Sequence, residues 1–178
     1  KVGFDKNADI TTGPVIDGRA WARLKGLVDN AVADGAKLLA GGGRPAGLNA
    51  GHYFAPTVLT DVTETMEVYR QETFGPIVSI VSFDDQTDLL RMANDCEEGG
   101  LTAYIFTRDL ARAEHYAAHL RYGEIQINGV KYDIDLPHGG IGQAGIGHDC
   151  SALALHDYLV QKRITRALDT TTFGGLNS

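Results

Sequence analysis

Apolar positions recur along this chain with two different periods, and each period marks its own kind of element. Trp21, Leu24, Val28 and Ala31 fall at i, i+3, i+7 and i+10, the stripe of a helix predicted over residues 17–34. Asp17 is placed to cap that helix and Gly35 to stop it. Lys37–Ala40 then reads as a short strand running into the triple glycine Gly41, Gly42 and Gly43. Residues 53–59 read as extended, interrupted by Pro56. Residues 76–83 (PIVSIVSF) are rich in β-branched side chains, follow Gly75 and predict a strand. Residues 84–94 read as a helix with Leu89, Leu90 and Ala93 inward, and 101–107 (LTAYIFT) as a strand. Residues 109–120 predict a helix with Leu110, Ala113, Ala117 and Leu120 on one face, and 124–128 (EIQIN) a strand. A glycine-punctuated loop over 129–149 leads to a helical segment at 151–159. The last strand, 161–168, has charged residues alternating with Ile164 and Ala167.

Alternation of strand and helix predicts α/β architecture: βαβ units with right-handed crossovers and a parallel sheet, helices on both faces. The final charged strand is of the kind found at an edge or seeking a partner. Hydrophobic residues at 43% and charged residues at 22% of the 178 are ordinary globular usage, which excludes a disordered tail and a coiled-coil rod. A net charge of −7 argues against a general nucleic-acid or anionic-membrane binder. The apolar runs are strand-sized, so no bilayer span is expected, and no signal segment opens the chain. Two cysteines, Cys96 and Cys150, make no disulfide framework and fit a reducing, cytoplasmic setting. Lys1 is not an initiator methionine, as in a processed chain or a fragment.

Several patterns invite chemistry. Residues 140–145 formally fit G-x-G-x-x-G, but Leu136, Pro137 and His138 stand where a strand should precede it, and no βαβ unit has room to follow. A structural glycine loop is expected there. His115 and His119 have the i, i+4 spacing of zinc ligands, without an adjoining Glu or a third ligand, and are expected on a solvated face. Cys96 is followed by Glu97 and Glu98, which disfavour a thiolate. Cys150, just ahead of a predicted helix, is the less implausible nucleophile, although a structural thiol is expected. The sharpest local feature is Gln71-Glu-Thr-Phe-Gly-Pro76. It puts a carboxylate and an aromatic ring on a turn that launches a buried strand. A carboxylate at such a strand mouth can accept two ribose hydroxyls, and the neighbouring ring can pack on a nicotinamide.

An ordered set of motifs extends this. Gly13-Pro14, residues 35–42 (GAKLLAGG), residues 53–58 (YFAPTV), residues 72–76 (ETFGP), Ala93-Asn94, residues 100–103 (GLTA) and residues 105–107 (IFT) follow in sequence. Gly123, Ile127-Asn128, residues 137–140 (PHGG) and residues 145–147 (GIG) complete it. In this order the chain resembles the C-terminal part of the NAD(P)-dependent aldehyde dehydrogenase superfamily, over roughly residues 2–168.

The resemblance implies a division into residues 1–160, the C-terminal portion of the catalytic domain; 161–168, an oligomerisation strand; and 169–178, a loose tail. It implies that Glu72 holds the nicotinamide-side ribose of NAD or NADP and that Phe74 packs against the nicotinamide. Asn128 matches the asparagine ending the strand beneath the catalytic centre. The loop over 129–138 matches the one lining the substrate entrance, with His138 where many members carry Phe. Asp133, with Tyr132 and Asp135, becomes a candidate to tune the aldehyde substrate, and two acidic residues would suit a cationic aldehyde. The implied assembly is a homodimer or homotetramer without nucleic acid or membrane. The family reaction is attack by a Cys thiolate on an aldehyde, hydride transfer to the nicotinamide, and thioester hydrolysis to the acid. In the family the nucleophile lies upstream of the position matching Lys1, so no catalytic residue is assigned here, and the chain alone is expected to be inactive. Gly99, Gln143-Ala144 and Asp149 depart from the family pattern. The competing expectation is a non-catalytic, aldehyde-dehydrogenase-like association module driven by an exposed apolar face.

Overall fold

A computed structural model describes residues 1–4, 9–95 and 99–166. Helix α1 (Gly18–Ala33) starts at Asp17, whose carboxylate accepts the Ala20 N–H at 2.8 Å. It buries Leu24, Leu27, Val28 and Ala31. Strands β1 (Lys37–Ala40) and β2 (Thr57–Thr60) follow, then the short helix α2 (Glu67–Arg70), which the apolar periodicity does not reveal, and β3 (Ile77–Ser79). Helix α3 (Gln86–Asn94), β4 (Thr102–Ile105), α4 (Leu110–His119) and β5 (Glu124–Ile127) complete the regular elements. Asp85 and Asp109 cap α3 and α4 just as Asp17 caps α1. The segment 152–158 is helical as expected, but of the tighter 3-10 kind.

The architecture is α/β, with one departure from an all-parallel sheet. β2 pairs parallel with β3 and β4 pairs parallel with β5, but β1 pairs antiparallel with β2. A parallel crossover needs a covering element, usually a helix. Between β1 and β2 the chain instead makes an irregular loop that Arg44 pins to the carbonyls of Leu48 and Gly51 at 3.1 and 2.7 Å. It therefore turns back on itself. Among the described residues the strands form two sheets, β1-β2-β3 and β4-β5.

Each sheet has its own core. Leu24, Val28, Ala31, Phe54, Leu59, Val62, Met66, Val68 and Ile77 bury around the first. Buried Thr57 is satisfied there, its hydroxyl donating to Ala55 O and accepting from Gly42 N–H. The second core is smaller: Ile105, Ala113 and Tyr116, flanked by Leu89, Leu90, Ala117 and Leu120. The inward face expected for α4 needs one correction. Leu110 is 63% exposed, and Tyr116 takes the buried place three residues after Ala113. Leu110 is the first residue of the helix, ahead of the turn from which Ala113 and Tyr116 pack into the small core.

Arg91 of α3 links the two halves by donating to both carboxylate oxygens of Glu64, at 2.7 and 2.8 Å. The guanidinium holds the Glu64 carboxyl below the ordinary carboxylate range. A depressed native pKa gives stability that is present above the unfolded value and lost as pH falls through the native one. The stability deficit of Glu64→Gln relative to wild type is thus expected in full at neutral pH and to fade on acidification below that range. Urea midpoints of both proteins across that interval check it.

Residues 161–166 carry the described part of the predicted last strand. They are exposed and pair with no strand among the described residues. Ala167, Leu168 and the tail 169–178 lie outside the described residues. No helix among the described residues is long and apolar enough to cross a membrane.

Candidate functional site

The turn between α2 and β3 is built from backbone outward. α2 closes with the Gln71 N–H on Glu67 O at 2.9 Å. Arg23 of α1 donates to the carbonyls of Glu72 and Thr73, tethering the turn to the first core. Gly75 lies so close to α1 that a Cβ there would stand 2.6 Å from both Leu24 methyls, so no larger residue fits. Between these anchors Phe74 adopts φ +41 and is 82% exposed. A bulky residue in the left-handed region costs on the order of 1–3 kcal/mol, and an exposed ring recovers none of it by burial. Glu72, two residues earlier, is exposed as well. The turn thus presents a carboxylate and a bare aromatic face together, held by a rigid frame.

A second site lies beyond β5. A cleft of about 430 Å³ opens between that strand and the loop that follows, lined among others by Glu124, Gln126, Lys131, Tyr132, Asp133 and His138. His138 is held twice by Asp149: the two backbones exchange N–H···O bonds at 3.0 and 2.8 Å, and His138 Nδ1 meets Asp149 Oδ1 at 2.8 Å. The Tyr132 ring meets the His138 imidazole edge-on, centroids 5.8 Å apart. The Tyr132 hydroxyl lies 2.8 Å from Cys150 Sγ, and that contact, with some desolvation, pushes the phenol up to about 12. Asp133 accepts from Lys131 Nζ at 3.0 Å and from the Asp135 N–H at 3.2 Å, which together hold its carboxyl below the ordinary range. Glu124 accepts from Gln126 Nε2 at 2.6 Å and from the Thr102 hydroxyl at 3.3 Å.

Asn128 sits at the end of β5 with φ +54. Its side chain accepts from Thr107 N–H at 2.9 Å and donates to Thr107 O at 2.8 Å, continuing the β4–β5 ladder where the backbone leaves it. It fixes where the cleft loop departs. His138 and Asp133 share the cleft, while Glu72 and Phe74 share the other turn and do not line it. Lys131, Glu124 and Gln126 belong to the cleft without having been singled out from sequence. A lysine two residues ahead of Asp133 is the one signal that pointed to a paired carboxylate.

Cys150 and Ser151 are consecutive left-handed residues at φ +59 and +53, ahead of the 3-10 segment, and Cys150 does not line the cleft. Cys96 lies outside the described residues. His115 and His119 are exposed and stack at 4.4 Å, with His119 Nδ1 on the His115 carbonyl. Among the described residues no group of three ligating side chains could hold a metal. Residues 140–145 form a loop with a 3-10 turn at Gly142–Ala144, and no strand leads directly into it, β5 having ended at Ile127.

A mixed α/β body carrying an acidic–aromatic turn and a polar cleft narrows the class, and comparison with known proteins supplies the family. The model of the aldehyde dehydrogenase family matches residues 1–164, and the chain belongs to that family. It is 39% identical over 160 residues to glutarate-semialdehyde dehydrogenase of Pseudomonas putida, covering 89% of this chain and 32% of that protein. It is 30% identical over 167 residues to the chloroplastic betaine aldehyde dehydrogenase of Atriplex hortensis, covering 93% of this chain and 33% of that one. The solved succinate-semialdehyde dehydrogenase of Burkholderia pseudomallei superposes with a TM-score of 0.84 at 38% identity, covering 90% and 33% of the two chains. Betaine aldehyde dehydrogenase of Staphylococcus aureus, solved in complex with NAD+, gives 0.84 at 34% identity, covering 90% and 32%. The chain spans about a third of the length of the relatives it matches.

Proposed function

We propose that this chain is the C-terminal portion of an NAD(P)-dependent aldehyde dehydrogenase that oxidises an aldehyde to its carboxylic acid. The observation that carries the proposal is Phe74, bare and left-handed beside Glu72 on a turn braced by Arg23 and Gly75. A strained aromatic kept out of the core fits a surface that a flat ligand covers. The residues fit the dinucleotide: Glu72 would accept the two hydroxyls of the nicotinamide-side ribose, and Phe74 would cover one side of the nicotinamide and exclude water from it. When bound, the dinucleotide supplies the acceptor for the aldehyde hydride. One relative solved in complex with NAD+ and another named for NADP+ support this cofactor class.

The cleft beside β5 is the substrate mouth in this proposal, with His138, held by Asp149, and Asp133 on its wall. The cysteine nucleophile belongs to a part of the parent enzyme outside this chain, since Cys150 faces Tyr132 and lines no cleft wall. The exposed arm at 161–166, following bare Val160 and carrying bare Ile164, supports association of copies through it, as a homodimer or homotetramer in this proposal. The test is NADH or NADPH formation by the natural protein, purified from its source and offered succinate semialdehyde, betaine aldehyde and butanal. Turnover of an aldehyde with either nucleotide is expected. No reduction of either nucleotide with any of the three would favour the second reading, an association module, which the fully exposed Ile146 and the bare Val160 otherwise support.

A further inference from the structure

The cleft wall carries charges of both signs, and its hydrogen bonds show which of them are already engaged. We infer that it selects an aldehyde bearing a carboxylate, with Lys131 as the group that recognises the anion. This rests on the proposal above that the cleft is the substrate mouth of an aldehyde dehydrogenase.

Two acidic residues in the loop suggested a cationic aldehyde from sequence, but the carboxylates of the cleft are already engaged. Asp133 has the Lys131 ammonium on one oxygen and the Asp135 N–H on the other. Glu124 has an amide N–H and a hydroxyl. Asp149, behind the wall, has the His138 ring. Lys131 is less fully used. An ammonium has three N–H bonds, and Lys131 gives one to Asp133 while its side chain stays 82% exposed. His138 spends its Nδ1–H on Asp149, so Nε2 of the neutral imidazole is an acceptor and gives an anion no N–H. A cationic tail would have to compete with Lys131 for Asp133. A carboxylate tail would add a partner to an ammonium with N–H bonds to spare, and Asp133 and Glu124, both in the same lining, would restrain that gain as nearby like charges.

The two members of the Lys131–Asp133 pair give variants of opposite sign, which a loop of purely structural importance would not. In the natural full-length protein, kcat/KM is measured for succinate semialdehyde and for uncharged butanal, and their ratio is the readout. Lys131→Gln is expected to lower the ratio about tenfold, and Asp133→Asn to raise it about threefold, by freeing the ammonium and removing the like charge. The changes should fall in KM for the anionic aldehyde, with kcat moving little. If both pair variants lower the ratio, or neither moves it, while butanal is still oxidised, the charge-selection inference is wrong and the aldehyde dehydrogenase proposal stands. If Asp133→Asn chiefly raises KM for betaine aldehyde, the cleft is built for a cation instead. If the wild type oxidises none of these aldehydes with either nucleotide, the underlying proposal fails and carries the inference with it.

Discussion

Gly123→Ala is expected to be the most damaging small change in the chain. Gly123 immediately precedes β5 and donates its N–H to Gly100 O at 2.9 Å. A Cβ at this position would stand 1.7 Å from Gly139 O and 3.1 Å from Gly140 Cα. Both obstacles are backbone, so no side-chain rotation relieves them. The loop carrying His138 must lift away, and its Ile141 N–H bond to the same Gly100 O, 3.0 Å long, is lost with it. Overpacking of this kind costs about 3 kcal/mol when backbone must move, or roughly 6–12 °C in Tm for a domain of this size. Because His138 and Asp149 travel with the loop, kcat/KM should fall about a hundredfold, the usual result of misplacing a substrate wall by about 1 Å. Chemical denaturation and steady-state kinetics on the same preparation check both. A loss under about 1 kcal/mol with unchanged kinetics contradicts the seating of the loop on Gly123.

Glu72→Ala is expected to act in the opposite way, on binding with little effect on folding. The residue is exposed, and the turn is held by Arg23 through backbone carbonyls that the substitution leaves in place. Hydrogen bonds from neutral hydroxyls to a carboxylate contribute about 1.5–3 kcal/mol each. Losing both ribose contacts should therefore weaken nucleotide binding by at least about a hundredfold, while Tm stays within about 2 °C. Calorimetric titration of NAD+ or NADP+, whichever the wild type accepts, reads the effect. An unchanged nucleotide Kd would remove Glu72 from the site.

Much of the fold was legible because its signals are local. Asp17, Asp85 and Asp109 each stand one residue ahead of a helix and each caps it by accepting a backbone N–H. Stripes of apolar side chains located α1, α3 and α4, and runs of β-branched residues located β3 and β4. What failed was not local. The antiparallel sense of β1 depends on Arg44 tying a loop that carries no helical or strand period. The exposure of Leu110 reflects its place at the first position of α4, ahead of the residues that reach the core, which the helix stripe does not encode. Predicted strands were also too long: residues 76–83 shortened to Ile77–Ser79, although Ile80 N–H still reaches Leu59 O at 2.8 Å.

The candidate site divides the same way. Glu72 and Phe74 stood out in sequence as an acid and an aromatic on a Gly-Pro turn, and the structure adds the left-handed φ and the bare ring. Charge counting in the cleft loop saw Asp133 and Asp135 but not the lysine that occupies Asp133, since pairing is a matter of geometry. The Tyr132–Cys150 and His138–Asp149 contacts join residues 18 and 11 positions apart, beyond the reach of any periodic pattern.

The central claim is that the Glu72–Phe74 turn receives the nicotinamide end of a dinucleotide. The most direct measurement is a crystal structure of the natural full-length protein soaked with NAD+ or NADP+. The expected result is ribose hydroxyls within hydrogen-bond distance of the Glu72 carboxylate and a nicotinamide against the Phe74 ring. A dinucleotide bound elsewhere, with this turn still facing solvent, would contradict the claim.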